Sequence, residues 1–471
     1  MMSERTPHSQ SLQRRLTERQ LAMIAIGGAI GVGLFLGSSV TINQAGPAVL
    51  VTYLLGAAVS LVIAYSLAEM AVVHPVAGAF GIYAERYLNP WFGFTVRATY
   101  GLVQIVAIGA EVTAVAIYFQ YWFPNAPQWF WVALVSSGIV AINAAQVGNF
   151  GEFEYWFALV KVVAIIAFIV VGLALIFGLA GRPALGFRNL TDHGGFFPHG
   201  YLGMWLALTI AISSYMGVEV IAVTAGEARE PEKAIPRAMR TIVFRLILFY
   251  VLAVGVMVTM SPWNQTSDGT ISGSPFVRAF AAIGVPYAAL LMNIVVINAA
   301  LSSANTNLYL STRMLFSLAR GKYAPALLGR LSPNGVPHFA LAASSLGMVV
   351  AILLAVYVPK RAFLLMYGSA VAGMYFVWIV ILLAHLRFRR SMGTKVNDLP
   401  LRLKLFPYSS FLGIAVLLAL AVTTFYVDGL QYSVPIFAGL MAMMSAAYWR
   451  AHRTRLLATP ELTPESSAVE P

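Results

Sequence analysis

The sequence predicts an all-α integral membrane protein with twelve spans, and three observations carry that reading. Hydrophobic residues fill 59% of the 471 positions and charged residues only 10%, against about a quarter charged in an ordinary globular chain. The apolar residues gather into stretches of roughly 20, the length that crosses a hydrocarbon core of about 30 Å. The basic residues fall mostly between alternate stretches, as positive-inside topology requires.

The twelve stretches are residues 20–43, 48–73, 90–121, 129–147, 153–180, 200–226, 238–260, 277–318, 337–357, 361–386, 408–427 and 431–449. The polar start with Arg5, Arg14, Arg15 and Arg19 precedes a retained first span, since no small-residue cleavage site follows a short apolar core. With the amino terminus cytoplasmic, the outer loops keep only Arg182, Arg188, Lys360 and Arg361 of the 30 Lys and Arg residues, and both termini lie inside. The net charge of +12 is then topological. Nucleic-acid binding loses its only support.

Val147 to Glu154 reads as the connection between spans four and five, and Gly181 to His199 as a longer outer loop. That loop divides the chain into a tail over 1–19, a first set of five spans over 20–180 and a second set over 199–388. Spans eleven and twelve follow over 407–450, and a second tail over 451–471. An odd number of spans per set inverts the second set relative to the first, an arrangement that binds substrate near the membrane midplane.

The first span contains Gly27-Gly-Ala-Ile-Gly-Val-Gly-Leu-Phe-Leu-Gly37. Pairs such as Gly27 and Gly31 have the spacing of close helix packing, but five glycines in eleven residues are denser than packing needs. An opened helix would expose the amides of Gly31, Val32 and Gly33 to a carboxylate. In the sixth span Ser213-Ser-Tyr-Met-Gly-Val-Glu219 forms the matching position. If the helix opens at Ser213 to Met216, its carbonyls would face an ammonium, and Glu219 faces either a cavity or the nearby cytoplasmic water.

Three further groups draw notice. Lys161 lies about 12 Å inside the fifth span at 1.5 Å per residue; it either snorkels outward or is a buried amine able to exchange a proton. Glu111 in the third span faces the pocket or pairs with a basic group. Ser302-Ser-Ala-Asn-Thr-Asn307 in the eighth makes a polar band beside them. No cysteine is present and the histidines are scattered, so no metal site, cofactor or enzyme is expected.

Four separated motifs give a family resemblance: Gly28-Ala-Ile-Gly-Val-Gly-Leu-Phe, Ala45-Gly-Pro, Gly151-Glu-Phe-Glu-Tyr-Trp-Phe-Ala-Leu-Val-Lys161, and Ala225-Gly-Glu-Ala-Arg-Glu-Pro-Glu-Lys-Ala-Ile-Pro-Arg237. Over roughly residues 12–450 the chain resembles bacterial amino acid permeases of the amino acid transporter family, within the amino acid-polyamine-organocation superfamily. The resemblance implies the leucine-transporter fold, with a 5+5 inverted repeat, helices one and six unwound, and two added helices. It implies that the amides of Gly31, Val32 and Gly33 hold the substrate carboxylate. The ammonium would go to carbonyls of Ala29, Ser213, Ser214 and Met216. Lys161 matches a lysine that replaces a sodium ion and relays protons, and residues 227–237 match an inner gate. Two departures stand out: similar permeases usually place two glycines before the sixth-helix glutamate, where this chain has Met216-Gly-Val, and a hydroxyl residue often follows the glycine at Gly31, where this chain has Val32.

The expected function is therefore import of a neutral amino acid by proton symport across the bacterial cytoplasmic membrane, with amino acid, proton and bilayer as partners. The alternatives are a proton-independent exchanger and a receptor that binds an amino acid without moving it; the tails of about twenty residues speak against the receptor. Broken helices at mid-membrane suit an occluded site better than a channel pore.

Overall fold

A computed structural model describes residues 31–35, 37–76, 79–145, 147–179, 183–219, 235–237, 239, 246–265, 276, 287–332, 335–427 and 429–453. Among the described residues the regular elements are all helical. Six helical stretches are long and apolar enough to cross a bilayer: Gly33–Val73, Pro90–Phe119, Tyr155–Ile176, His338–Tyr357, Pro359–Asp398 and Tyr408–Tyr426. Three shorter apolar helices lie at Gln128–Ala144, Gly200–Tyr215 and Leu248–Met260. Ala29, most of the expected gate over 227–237, and the start of the first span fall outside the described residues.

The helices that position the site begin with α1 (Val32–Phe35) and α2 (Gly37–Ala45), joined through a 3-10 turn to α3 (Val49–Val73). After α4 (Ala79–Tyr87) comes α5 (Pro90–Phe119), where Asn89 caps the first turn by accepting from the Phe92 amide at 3.0 Å and Pro90 supplies a pre-set φ. Then follow α6 (Gln128–Ala145), α7 (Val147–Ile176), α8 (Gly200–Ala211), α9 (Ala253–Met260) and α10 (Ala288–Arg320). The series closes with α11 (His338–Ser344), α12 (Leu346–Tyr357), α13 (Pro359–Met392), α14 (Tyr408–Thr423) and α15 (Ser433–Arg453). Arg389 and Arg390 in the last turn of α13 suit the negative end of its dipole.

One sequence expectation shifts. Val147 to Glu154, read as a connection, is the start of α7. The segment lacks proline, and its two glycines are tolerated within a helix at a cost of about 1 kcal/mol each. Of the eighth span, expected from residue 277, residues 277–286 lie outside the described residues; helix runs from Ala288, after Tyr287 in a left-handed conformation at φ 61°.

α5 runs along α10 and α13, and these three long helices frame the centre of the molecule. Small residues let the backbones close in: a Cβ on Gly347 of α12 would lie 1.8 Å from the Ile105 carbonyl of α5. α8 packs against α2 and α3 on the other side.

Buried charged side chains in these helices are partnered, as low-dielectric surroundings demand. Glu69 of α3, fully buried, accepts from His385 Nε2 at 2.9 Å and from Arg389 Nε at 2.7 Å, both on α13, and from the Leu403 amide. Arg97 of α5 pairs with Glu85 of α4, whose other oxygen accepts from the Tyr323 hydroxyl at 2.7 Å. Removing one partner leaves the others buried and unmatched, a loss of about 3–5 kcal/mol. Glu69→Ala should therefore lower thermal stability strongly in detergent, whereas Arg402→Ala, at an exposed position, should leave the midpoint nearly unchanged.

Candidate functional site

The start of α1, the end of α8 and three continuous helices meet around a cavity of about 80 Å³. A water needs about 10–15 Å³ by the same measure, so the space takes roughly six water-sized atoms, the size of a small amino acid.

One edge is set at Gly31, a bend that precedes α1, with the Leu34 amide donating to the Gly31 carbonyl at 3.3 Å. A side chain here would crowd what stands opposite. A Cβ on Gly31 would lie 2.6 Å from Glu111 Oε1 and 2.8 Å from Ser303 Oγ. A Cβ on Gly33 would lie 3.1 Å from the Tyr367 hydroxyl and 3.2 Å from Ser214 Oγ. The missing side chains thus let backbone form one edge of the cavity.

The second edge is an interrupted helix, the end of α8. The helix tightens into a 3-10 turn over Ile212–Tyr215, Met216 turns extended at ψ 138°, and Gly217 takes φ 103°. The groups released from the helical ladder find new partners. The Met216 amide donates to the Ser213 carbonyl at 3.2 Å, and the Tyr250 hydroxyl donates to the Ser214 carbonyl at 2.6 Å. The Gly217 amide donates to both oxygens of Glu219 at 3.0 and 3.1 Å. The Tyr215 hydroxyl reaches across to the Tyr53 carbonyl at 2.6 Å, and its ring packs on Tyr250 at 4.6 Å. Tyr250 itself comes from a π-helical turn over Leu246–Leu252, a bulge of the kind found near functional sites.

The continuous helices supply side chains at helical spacing. α5 presents Gln104 and Glu111, α10 presents Ser303 and Asn307, and α13 presents Tyr367 and Met374. Ser303 Oγ donates to Glu111 Oε1 at 2.8 Å, and Ser213 Oγ, which donates to the Ile210 carbonyl at 2.5 Å, also hydrogen-bonds the Tyr367 hydroxyl.

Of the residues singled out from the sequence, Gly31, Gly33, Glu111, Ser213, Ser214 and Met216 line this cavity. Val32 begins α1, and its side chain is outside the described residues. Glu219 does not line it: fully buried, it sits behind the second break and accepts from Gly217 and, at 3.3 Å, from Tyr100 of α5. Lys161 of α7 is also fully buried and outside the lining, its Nζ donating to Ser302 Oγ at 2.8 Å. Tyr367, Gln104 and Met374 are cavity residues that sequence reasoning missed. For Tyr367 a faint signal existed, a phenol followed by Gly368 and Ser369 inside an apolar span. Among the described residues no group of His, Asp or Glu could hold a metal ion.

Gly217 at φ 103° gives a clear expectation. Gly217→Ala should cost about 1–2 kcal/mol, because a Cβ is strained in a left-handed backbone. Gly439→Ala, in α15 with open space around it, should instead stabilise by up to about 1 kcal/mol. Thermal unfolding of the two variants beside the parent checks the contrast.

The geometry can now be set beside known proteins. The amino acid permease family pattern matches residues 20–455. The chain is 39% identical over 443 residues to the uncharacterized amino acid permease YtnA of Bacillus subtilis (strain 168), covering 93% of this chain and 95% of the relative. It is 39% identical over 422 residues to the gamma-aminobutyric acid permease of the same organism, covering 89% of each. With the aromatic amino acid transport protein AroP of Escherichia coli (strain K12) it shares 35% over 453 residues, 96% of this chain and 98% of that one. A match along nearly the whole chain, to relatives of the same length, shows that this protein belongs to the amino acid permease family, as a multi-pass membrane protein of amino acid transport.

Proposed function

We propose that the protein imports a neutral amino acid across the bacterial cytoplasmic membrane by proton symport, alternating access of the cavity between the two sides. One observation carries the reading: the cavity lies between a backbone edge bared by Gly31 and Gly33 and a helix opened at Ser213–Gly217. Such paired discontinuities are how transporters of this architecture hold a ligand at mid-membrane. In this reading the chain has twelve spans, with two inverted sets of five over 20–180 and 199–388, helices one and six unwound, and both termini cytoplasmic.

Lys161 supports the proton. It is a fully buried amine that donates to Ser302, next to the serine that touches Glu111. An amine so placed can change charge as the surroundings open and close, which moves a proton with each cycle. The small cavity favours a compact substrate. The relatives' names span gamma-aminobutyric acid, aromatic amino acids and, for a further Bacillus subtilis protein, probable threonine and serine transport.

Purified protein in proteoliposomes tests this. An inward proton gradient without sodium should drive net accumulation of the substrate, and Lys161→Ala should cut that accumulation at least tenfold while counterflow exchange persists. Accumulation that ignores the gradient in the parent protein would identify an exchanger instead.

A further inference from the structure

We propose that Asn307 of α10 reads the substrate side chain, so that the cavity selects a short side chain ending in a hydroxyl, serine or threonine over alanine or valine. This rests on the amino acid reading above and narrows the substrate class within it.

The continuous helices give the cavity a direction. Ser303 of α10 meets Glu111 of α5 at 2.8 Å beside Gly31, and Tyr367 of α13 stands at Gly33. Val103 lies about two turns before Glu111, Leu310 about two turns after Ser303 and Met374 about two turns after Tyr367. All three line the same space. A Cβ on Gly373 would lie 2.7 Å from Val103 Cγ2, so α5 and α13 meet at that level as well. The cavity thus extends about 10 Å along the helices, from the backbone of Gly31 and Gly33 to an apolar end. A zwitterion held at the backbone edge sends its side chain toward that end.

Asn307 stands on the way, about one turn past Ser303. It is only 9% exposed, it lines the cavity, and its carboxamide has no hydrogen-bond partner among the described residues. The other carboxamide of the lining, Gln104, stands beside the Tyr100 hydroxyl. A buried amide left without a partner is costly. A carboxamide carries both donors and an acceptor, and a hydroxyl can answer either one. Ala107 and Val103 leave apolar room beside Asn307 for the methyl of threonine. No charged residue stands among the described lining at this end, so a charged side chain would lack a counter-charge there. An apolar side chain of the same shape would shut the Asn307 amide away from water and leave it unanswered, which is how a site rejects an analogue lacking its hydroxyl.

Dissociation constants on the full-length protein in nanodiscs, for serine against alanine and threonine against valine, test this. The parent should hold the hydroxyl member of each pair about tenfold tighter or more. Asn307→Leu, close in shape but apolar, should erase that preference by weakening serine and threonine while sparing alanine and valine. Asn307→Ala carries the same expectation and serves if the leucine variant fails to fold. Equal affinity of threonine and valine in the parent overturns the assignment, because water then answers the amide. A preference that survives both substitutions overturns it too. So does an equal loss for all four ligands in a variant with an unchanged thermal midpoint, since Asn307 would then hold the groups common to every amino acid. If none of the four binds the parent but another of the twenty amino acids does, the hydroxyl assignment falls and the amino acid reading stands. If none of the twenty binds, the amino acid reading itself falls.

Discussion

A helix opened inside hydrocarbon must hand its freed backbone groups to something, since each one left alone costs several kcal/mol. At the second break that demand is met by Tyr250, Glu219 and the Ser213–Met216 turn, with Tyr215 anchored to Tyr53 beneath them. Most of the surrounding architecture serves this purpose. α3 carries Tyr53, the π-helical turn before α9 carries Tyr250, and α5 carries Tyr100, which reaches Glu219. The break is therefore a built conformation, held from three sides, and not a loose segment.

Opposite it stands a frame of uninterrupted helices. α5, α10 and α13 run as continuous helices of 30 or more residues and present side chains to the cavity. Buried charge clusters join this frame to its neighbours at Glu69 and at Glu85. A rigid wall facing a satisfied break lets small differences in side chains, such as Met216 against Met374, define the space between them.

Length and apolarity made the spans legible in the sequence, because a bilayer imposes one scale on every helix. The glycine cluster and the Ser213–Glu219 segment were legible for a related reason: glycine density and a deep carboxylate are costly in a span without purpose. Other features left no such trace. Tyr367 and Tyr250 look in sequence like any tyrosine near an interface, and only packing turns one toward the cavity and the other toward the Ser214 carbonyl. Glu111 and Glu219 read alike as deep acids, yet one lines the cavity and the other braces the backbone behind it. Val147 to Glu154 misled because two glycines resemble a turn until the whole helix is seen.

Ser302 and Ser303 are neighbours on α10, but one takes the Lys161 ammonium and the other gives to Glu111. Successive residues on a helix project about 100° apart, so the two contacts hold α10 from different directions. Spinning the helix about its own axis would break both at once. α10 can tilt or slide as a unit, but its rotational setting is locked, like an axle keyed on two sides.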